Sequence, residues 1–246
     1  MTNSSNTVGS ASTFFCSTAL GADTSTALFQ WPLADATSAT TAADISGNSN
    51  TGTYQSTRTI DSSASPACPR DGGTAWSLDG STNYADFPTQ QTDPTTFTIE
   101  IWFKTTTAAG LLIGFGDKPT GASSYYDRHL YITTSGGVTF GLYNGSRLTI
   151  TSPTTGYNDG KWHYAAATVS SAGSKLYIDG KQVATSSTMT TPENFSGYWR
   201  VGDDLISGWT GAGNPFFKGT LRYAAVYTSA LTATQIANHF GAGSGS

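Results

Sequence analysis

The chain has 246 residues with 28 glycines; 12% are aromatic, 11% are charged, and the formal net charge is −4. An acidic balance, with twelve Lys and Arg scattered and no basic run, excludes the footprint that nucleic acid or anionic lipid requires. Charge this sparse, against roughly 25% in ordinary soluble proteins, would suit disorder, but disordered chains are poor in aromatics, so a packed core is expected. No stretch approaches the roughly 18 apolar residues of a membrane span. Met1-Thr-Asn-Ser-Ser lacks the basic region and apolar run of a signal peptide.

Residues 1–12 are small, polar and aperiodic, and read as a flexible segment. Cys16 and Cys68 are the two cysteines. The Ser/Thr/Gly-rich composition suits an exported module, where they read as a disulfide worth about 4 kcal/mol on the chain-entropy account; two buried thiols are the alternative. Residues 27–33 form a first strand that Pro32 confines to an edge or a strand end. Residues 34–53 are rich in turn residues. Residues 76–87 read as two strands around a tight Asp79-Gly80 turn.

The clearest alternation is at 97–104, with Phe97, Ile99, Ile101 and Phe103 on one face and Thr98, Glu100, Trp102 and Lys104 on the other. Strands are expected at 111–115, 130–133, 138–143 and 147–151, with Asn144-Gly145 closing a hairpin. Others follow at 164–169, 175–178, 182–185, 198–201 and 221–227. Asp179-Gly180 sits at the tip of another hairpin, because both residues of that turn must tolerate positive φ. Residues 232–240 are the helix candidate, since Thr232 and Gln235 have the spacing of a capping box ahead of Ile236, Ala237 and Phe240. The tail 241–246, Gly-Ala-Gly-Ser-Gly-Ser, reads as an added linker and Met1 as an added start. About a dozen short strands and one helix mean an all-β, two-sheet antiparallel sandwich over residues 13–240.

The wording and order of seven segments, 42–52, 76–80, 97–103, 159–163, 179–181, 219–227 and 230–236, resemble the laminin-G-like, concanavalin-type jelly-roll family. The resemblance implies a secreted or cell-surface binding and adhesion module within a larger multidomain protein. It also implies calcium as the candidate cofactor at the sandwich rim. Matching strands would place an Asp ligand at Asp127, a carbonyl at Asn144, a second carbonyl at Pro192 and a side chain at Asn194. Oxygen ligands with few charges suit a hard cation held weakly. A further family position, an acidic pair that often serves a structural calcium, is occupied here by Arg222-Tyr223. Asp44 would be the partner of that acid; with a cation there, it reads as the organiser of the Ser46-Gly47-Asn48 turn.

Glucanases of this fold place carboxylates on alternate residues of one strand. Residues 97–104 offer Glu100 alone, and the adjacent Asp203 and Asp204 would point to opposite faces of a strand. His129, His163 and His239 have no zinc-ligand spacing, and no Gly-x-Ser-x-Gly turn occurs. A sugar site needs flat aromatic faces and planar hydrogen-bonding groups. Tyr125, Tyr126 and Arg128 in one loop and Asp203, Asp204 and Trp209 in another supply both, with Tyr198 and Arg200 nearby. Trp31, Trp76, Trp102 and Trp162 lie in strand patterns and read as core or sheet-face residues. The sequence is thus read as a non-catalytic extracellular module that recognises carbohydrate or a surface ligand through rim loops, with no nucleic-acid partner and no membrane insertion. A structural or protein–protein module is the second reading, and a polysaccharide-active enzyme the third.

Overall fold

The computed structural model describes residues 24–61 and 74–244. The expected flexible segment 1–12 and both cysteines, Cys16 and Cys68, lie outside the described residues. In chain order the strands are β1 (Ala27–Trp31), β2 (Thr41–Ala42), β3 (Gly52–Gln55), β4 (Thr59–Asp61), β5 (Ala75–Asp79), β6 (Tyr84–Asp86), β7 (Gln91–Thr92), β8 (Phe97–Lys104) and β9 (Gly110–Gly116). They continue as β10 (Tyr126–Ile132), β11 (Val138–Tyr143), β12 (Arg147–Thr151), β13 (Trp162–Ser170), β14 (Gly173–Ile178), β15 (Lys181–Ser186), β16 (Ser196–Val201) and β17 (Lys218–Tyr227). One helix, α1 (Ala233–Ser244), follows.

Two sheets result. The first has the order β15-β14-β13-β8-β17-β5-β4, with β1 beside the second half of β17. The second has the order β12-β11-β10-β9-β16-β6-β3-β2, with β7 on β16. All recorded pairings are antiparallel. The sandwich expected from the alternation is the architecture found.

Strand β8 shows why the pattern folds this way. Phe97, Ile99, Ile101 and Phe103 enter the core between the sheets, where they meet Phe140, Leu130, Trp199 and Val226. The alternate residues are also covered, because α1 lies on the outside of the first sheet: Trp102 joins Tyr164, Tyr223, Leu231 and Ile236 in a second apolar cluster. Glu100 on this outer side is 1% exposed. Its carboxylate accepts the hydroxyls of Tyr164 (2.5 Å) and Tyr227 (3.0 Å) and lies 3.0 Å from Nδ1 of His239 on α1. A buried carboxylate is tolerated when its lone pairs are filled in this way. The network pins the helix to the sheet.

The turns carry the expected chemistry. Asp179 and Gly180 both have positive φ (50° and 75°), as the two-residue turn between β14 and β15 demands. Gln235 and Thr232 close the capping box, Thr232 N–H to Gln235 Oε1 at 2.8 Å and Gln235 N–H to Thr232 Oγ1 at 3.3 Å. Asp44 accepts the N–H groups of Gln30, Ser46 and Asn50 and the Ser46 hydroxyl, so it is the turn organiser that the sequence indicated.

One turn and one helix end differ from the sequence reading in ways that matter for packing. Asp79-Gly80 does not close a hairpin: β5 belongs to the first sheet and β6 to the second, and the Asp79 carboxylate holds the crossing through the N–H groups of Ser81 and Thr82. The helix also runs past Phe240 into the segment read as a linker. Ala242 and Gly243 are buried there, and burial against the Trp102 cluster outweighs the poor helix propensity of glycine.

Two predictions follow from these contacts. Glu100→Ala removes the acceptor that His239 and the hydroxyls of Tyr164 and Tyr227 share in the interior and should destabilise the fold by about 3–5 kcal/mol, read from urea unfolding; pairing it with His239→Leu should recover part of the loss. His163 lies between Asp179 (Nδ1, 2.9 Å) and Asp159 (Nε2, 3.2 Å). Burial opposes its charge, but the hydrogen bonds and charges of Asp179 and Asp159 prevail and raise its pKa. A raised folded-state pKa means the contact's stability is complete below about pH 6.5 and is lost as pH rises through the folded value. Melting temperature should therefore fall between about pH 6 and pH 8 in the wild type, and His163→Gln should flatten that slope.

Candidate functional site

The second sheet has its own covering on the outside, a loop spanning residues 202–217. Trp209 is the anchor: it is 4% exposed and packs with Leu111, Tyr131 and Ile206 on β9, β10 and the loop itself. Its ring lies so close over Gly141 of β11 that a Cβ there would come within 2.3 Å of it. Three further bonds hold the loop down. Tyr131 Oη donates to Thr210 O (2.6 Å), Tyr126 Oη to Ser207 O (3.3 Å) and Arg147 Nη2 to Ser207 O (3.5 Å).

Between this loop and the β11–β12 hairpin lies a cleft of about 240 Å³ lined by Ser124, Tyr125, Tyr126, Tyr143, Arg147, Glu193 and Trp209. Tyr125 is 55% exposed, its ring 6.0 Å from that of Phe195. Tyr143 and Arg147 face each other across the Asn144-Gly145 turn. Burial raises the pKa of Glu193, the acid of the lining. The cleft therefore combines flat aromatic faces, a guanidinium with donors to spare and a carboxylate acceptor on a stiff sheet. Such a surface suits hydroxyl-bearing rings with apolar faces.

The sequence-derived residues divide sharply. Tyr125 and Tyr126 are in the cleft, and Trp209 borders it as the buried anchor of its loop. Tyr198 is half-buried on β16 opposite Gly116, outside the lining. Arg128, Arg200, Asp203 and Asp204 are buried and engage one another or loop carbonyls. Arg200 donates through Nε to Asp203 O (2.9 Å), through Nη2 to Asp203 Oδ2 (2.7 Å) and through Nη1 to Gly121 O (2.6 Å). Burial raises Asp204 to about 6, and its Oδ1 accepts the N–H of Leu205. His129, wholly buried, is pushed down to about 3 by burial, with Arg128 and Arg200 adding repulsion. Ser124, Tyr143, Arg147 and Glu193 were not anticipated. A signal existed for two of them, because residues flanking a short hairpin turn become cross-strand neighbours.

The calcium set does not assemble as matched. Asn144 and Asn194 are exposed and Pro192 is buried. Asp127 is 0% exposed; its Oδ2 accepts the N–H groups of Glu193 (2.9 Å) and Tyr143 (3.3 Å), and its Oδ1 accepts Arg128 Nη1 (2.5 Å). Burial raises Asp127 to about 6 against the lowering effect of Arg128. A guanidinium thus sits against the carboxylate that the matching gave to the ion, so the residues present do not fit calcium at this place. Among the described residues no group of three or more His, Cys, Asp or Glu has the geometry of a metal site.

No curated protein matches the chain in sequence. Among solved structures, domain 4 of AbnA, a GH43 extracellular arabinanase from Geobacillus stearothermophilus, in complex with arabinotriose, aligns with a TM-score of 0.53 and 17% identity, covering 87% of this chain and 98% of that one. Trypanosoma rangeli sialidase aligns with a TM-score of 0.59 and 11% identity, covering 86% of this chain and 32% of the sialidase. The binding domain of Paraclostridial Mosquitocidal Protein 1 aligns with a TM-score of 0.60 and 14% identity, covering 89% and 52% respectively. This chain therefore spans about a third of the sialidase and about half of the mosquitocidal chain. At these identities the likeness is one of fold. It nevertheless corrects the expectation that the chain is not an enzyme, because the fold occurs in a sialidase chain and in a domain of an arabinanase. No described helix is long and apolar enough to cross a membrane. A family profile, Laminin_G_3, matches residues 79–237, more than half of the chain, so the chain belongs to the concanavalin A-like lectin/glucanases superfamily.

Proposed function

We propose that the chain is a carbohydrate-binding module of a larger secreted or cell-surface protein, and that the cleft around Tyr125 is its ligand site. The observation that carries this reading is the composition of the cleft: Tyr125, Tyr126 and Tyr143 beside the Arg147 guanidinium and the Glu193 carboxylate. Tyr125 is 55% exposed, and the open face of its ring is suited to the C–H side of a sugar ring. Arg147 supplies planar donors to ring or exocyclic oxygens, and Glu193 accepts from hydroxyls. At about 240 Å³ the cleft is smaller than the roughly 300–1,000 Å³ of typical small-molecule pockets. It suits one or two rings of a longer glycan whose remainder stays in solvent. The arabinotriose complex of the similarly folded arabinanase domain supports the ligand class, and the Ser/Thr/Gly-rich composition supports an exported setting.

Isothermal titration against a panel of soluble polysaccharides, arabinan included, tests the reading. Wild type should bind at least one of them. Tyr125→Ala and Arg147→Ala should each weaken that binding about tenfold, equivalent to about 1.4 kcal/mol, with melting temperature unchanged for the exposed Tyr125 and slightly lowered for Arg147, which also loses its bond to Ser207 O. Binding that survives both substitutions would move the site elsewhere. A chain that binds no glycan but retains a protein partner would instead favour the protein–protein reading.

A further inference from the structure

Arg128 is enclosed by oxygens of the kinds that bind a hard cation. Its side chain is 0% exposed. Four of its N–H groups point at oxygens: Nε at Pro94 O (2.9 Å), Nη1 at Asp127 Oδ1 (2.5 Å), and Nη2 at both Asp93 Oδ1 (2.7 Å) and Glu193 O (2.9 Å). Two carboxylates and two carbonyls are the oxygen types that hold a hard divalent cation in an extracellular module. The four oxygens come from three separate parts of the chain: the segment after β7, the start of strand β10 and the segment leading into β16. Glu193 and the N–H of Tyr143, which bonds Asp127, both belong to residues lining the cleft. The guanidinium also lies over the rings of Phe115 (4.7 Å) and Phe195 (5.2 Å), and Phe195 in turn supports Tyr125. The backbone is bent to achieve this: Arg128 and Asp93 both have positive φ (55° and 36°), and the β9–β10 register shifts between Asp127 and Leu130.

We propose that Arg128 is a built-in replacement for a rim calcium ion: it draws oxygens of the same chemical types together with a covalently attached charge, sharing Asp127 with the matched calcium set, so the cleft is organised without metal. The inference stands on the geometry of Arg128 and does not require the cleft to bind sugar. Its sign is specific. The cradle carries two negative charges, and the guanidinium cancels one while blocking entry of a divalent ion. Removing the guanidinium leaves both carboxylates unpaired and converts the cradle into a calcium site. Glycine is the substitution that keeps the positive φ without strain.

Thermal melting with calcium alone, or with EDTA, is the test. Wild type should melt identically in both and contain no bound metal by elemental analysis. Arg128→Gly should melt about 10 °C lower in EDTA, the consequence of leaving buried charge uncompensated, and should regain several degrees in millimolar calcium but less in magnesium, which demands stricter octahedral geometry. Should the glycine variant not fold in either condition, Arg128→Lys decides: the ammonium keeps the charge with fewer donors, so its melting temperature should fall and calcium should add nothing. A wild type stabilised by calcium overturns the proposal. So does a folded Arg128→Gly indifferent to calcium, or a lysine variant that calcium rescues.

Discussion

A guanidinium taken out of water needs an oxygen for most of its N–H groups, and the ends of a β sandwich have loop carbonyls that need donors. This chain joins the two requirements. Arg58, Arg128 and Arg200 are each at most 3% exposed, although the whole chain has only twelve Lys and Arg. Arg58 donates to the carbonyls of Leu33, Asp35 and Ala36, Arg128 to those of Pro94 and Glu193, and Arg200 to those of Gly121 and Asp203. Each therefore staples loops that have no ladder of their own, and the planar fork makes several such bonds at once. The price is that these side chains cannot also serve a ligand.

That constraint explains which parts of the site were legible in the sequence. Strand β8, the Asp179-Gly180 and Asn144-Gly145 hairpins and the helix cap depend on neighbours in sequence, and period-two alternation or a turn dipeptide reveals them directly. Arg128, Arg200, Asp203 and Asp204 looked like ligand contacts because polar residues cluster with aromatics in apparent loops. Their burial is decided by elements far away in the chain: Asp93 and Glu193 for Arg128, Gly121 for Arg200. No local pattern carries that information. Strand β10 begins at Tyr126, four residues before the alternation signals it, because the bulge at Arg128 interrupts the period.

Trp209 gives a case where a signal was present and pointed to packing. A tryptophan in a Gly/Ser/Thr loop looked available, yet glycine in the interior of a strand marks a place where something approaches closely. Gly141 in β11 is such a place, and Trp209 fills it. The pairing of a loop tryptophan with a strand glycine is what holds the 202–217 loop against the sheet.

The two sheets then differ in what their outer faces can do. The first sheet is closed over by α1, with Glu100 and His239 locked beneath the helix. The second is covered by a loop that Trp209, Tyr131 and Tyr126 tie down, stopping at the Tyr143–Arg147 end of the β11–β12 hairpin. Aromatic rings are left open where the covering stops, and Arg128 lies beneath the adjoining Phe195, stiffening the ring on which Tyr125 leans. The proposed ligand cleft at this edge is thus lined by side chains whose positions are set by buried charge on one side and an anchored indole on the other. A rigid rim lowers the ordering cost of binding, so holding Phe195 and Ser207 firmly would favour a ligand in the proposed cleft without adding any contact to it.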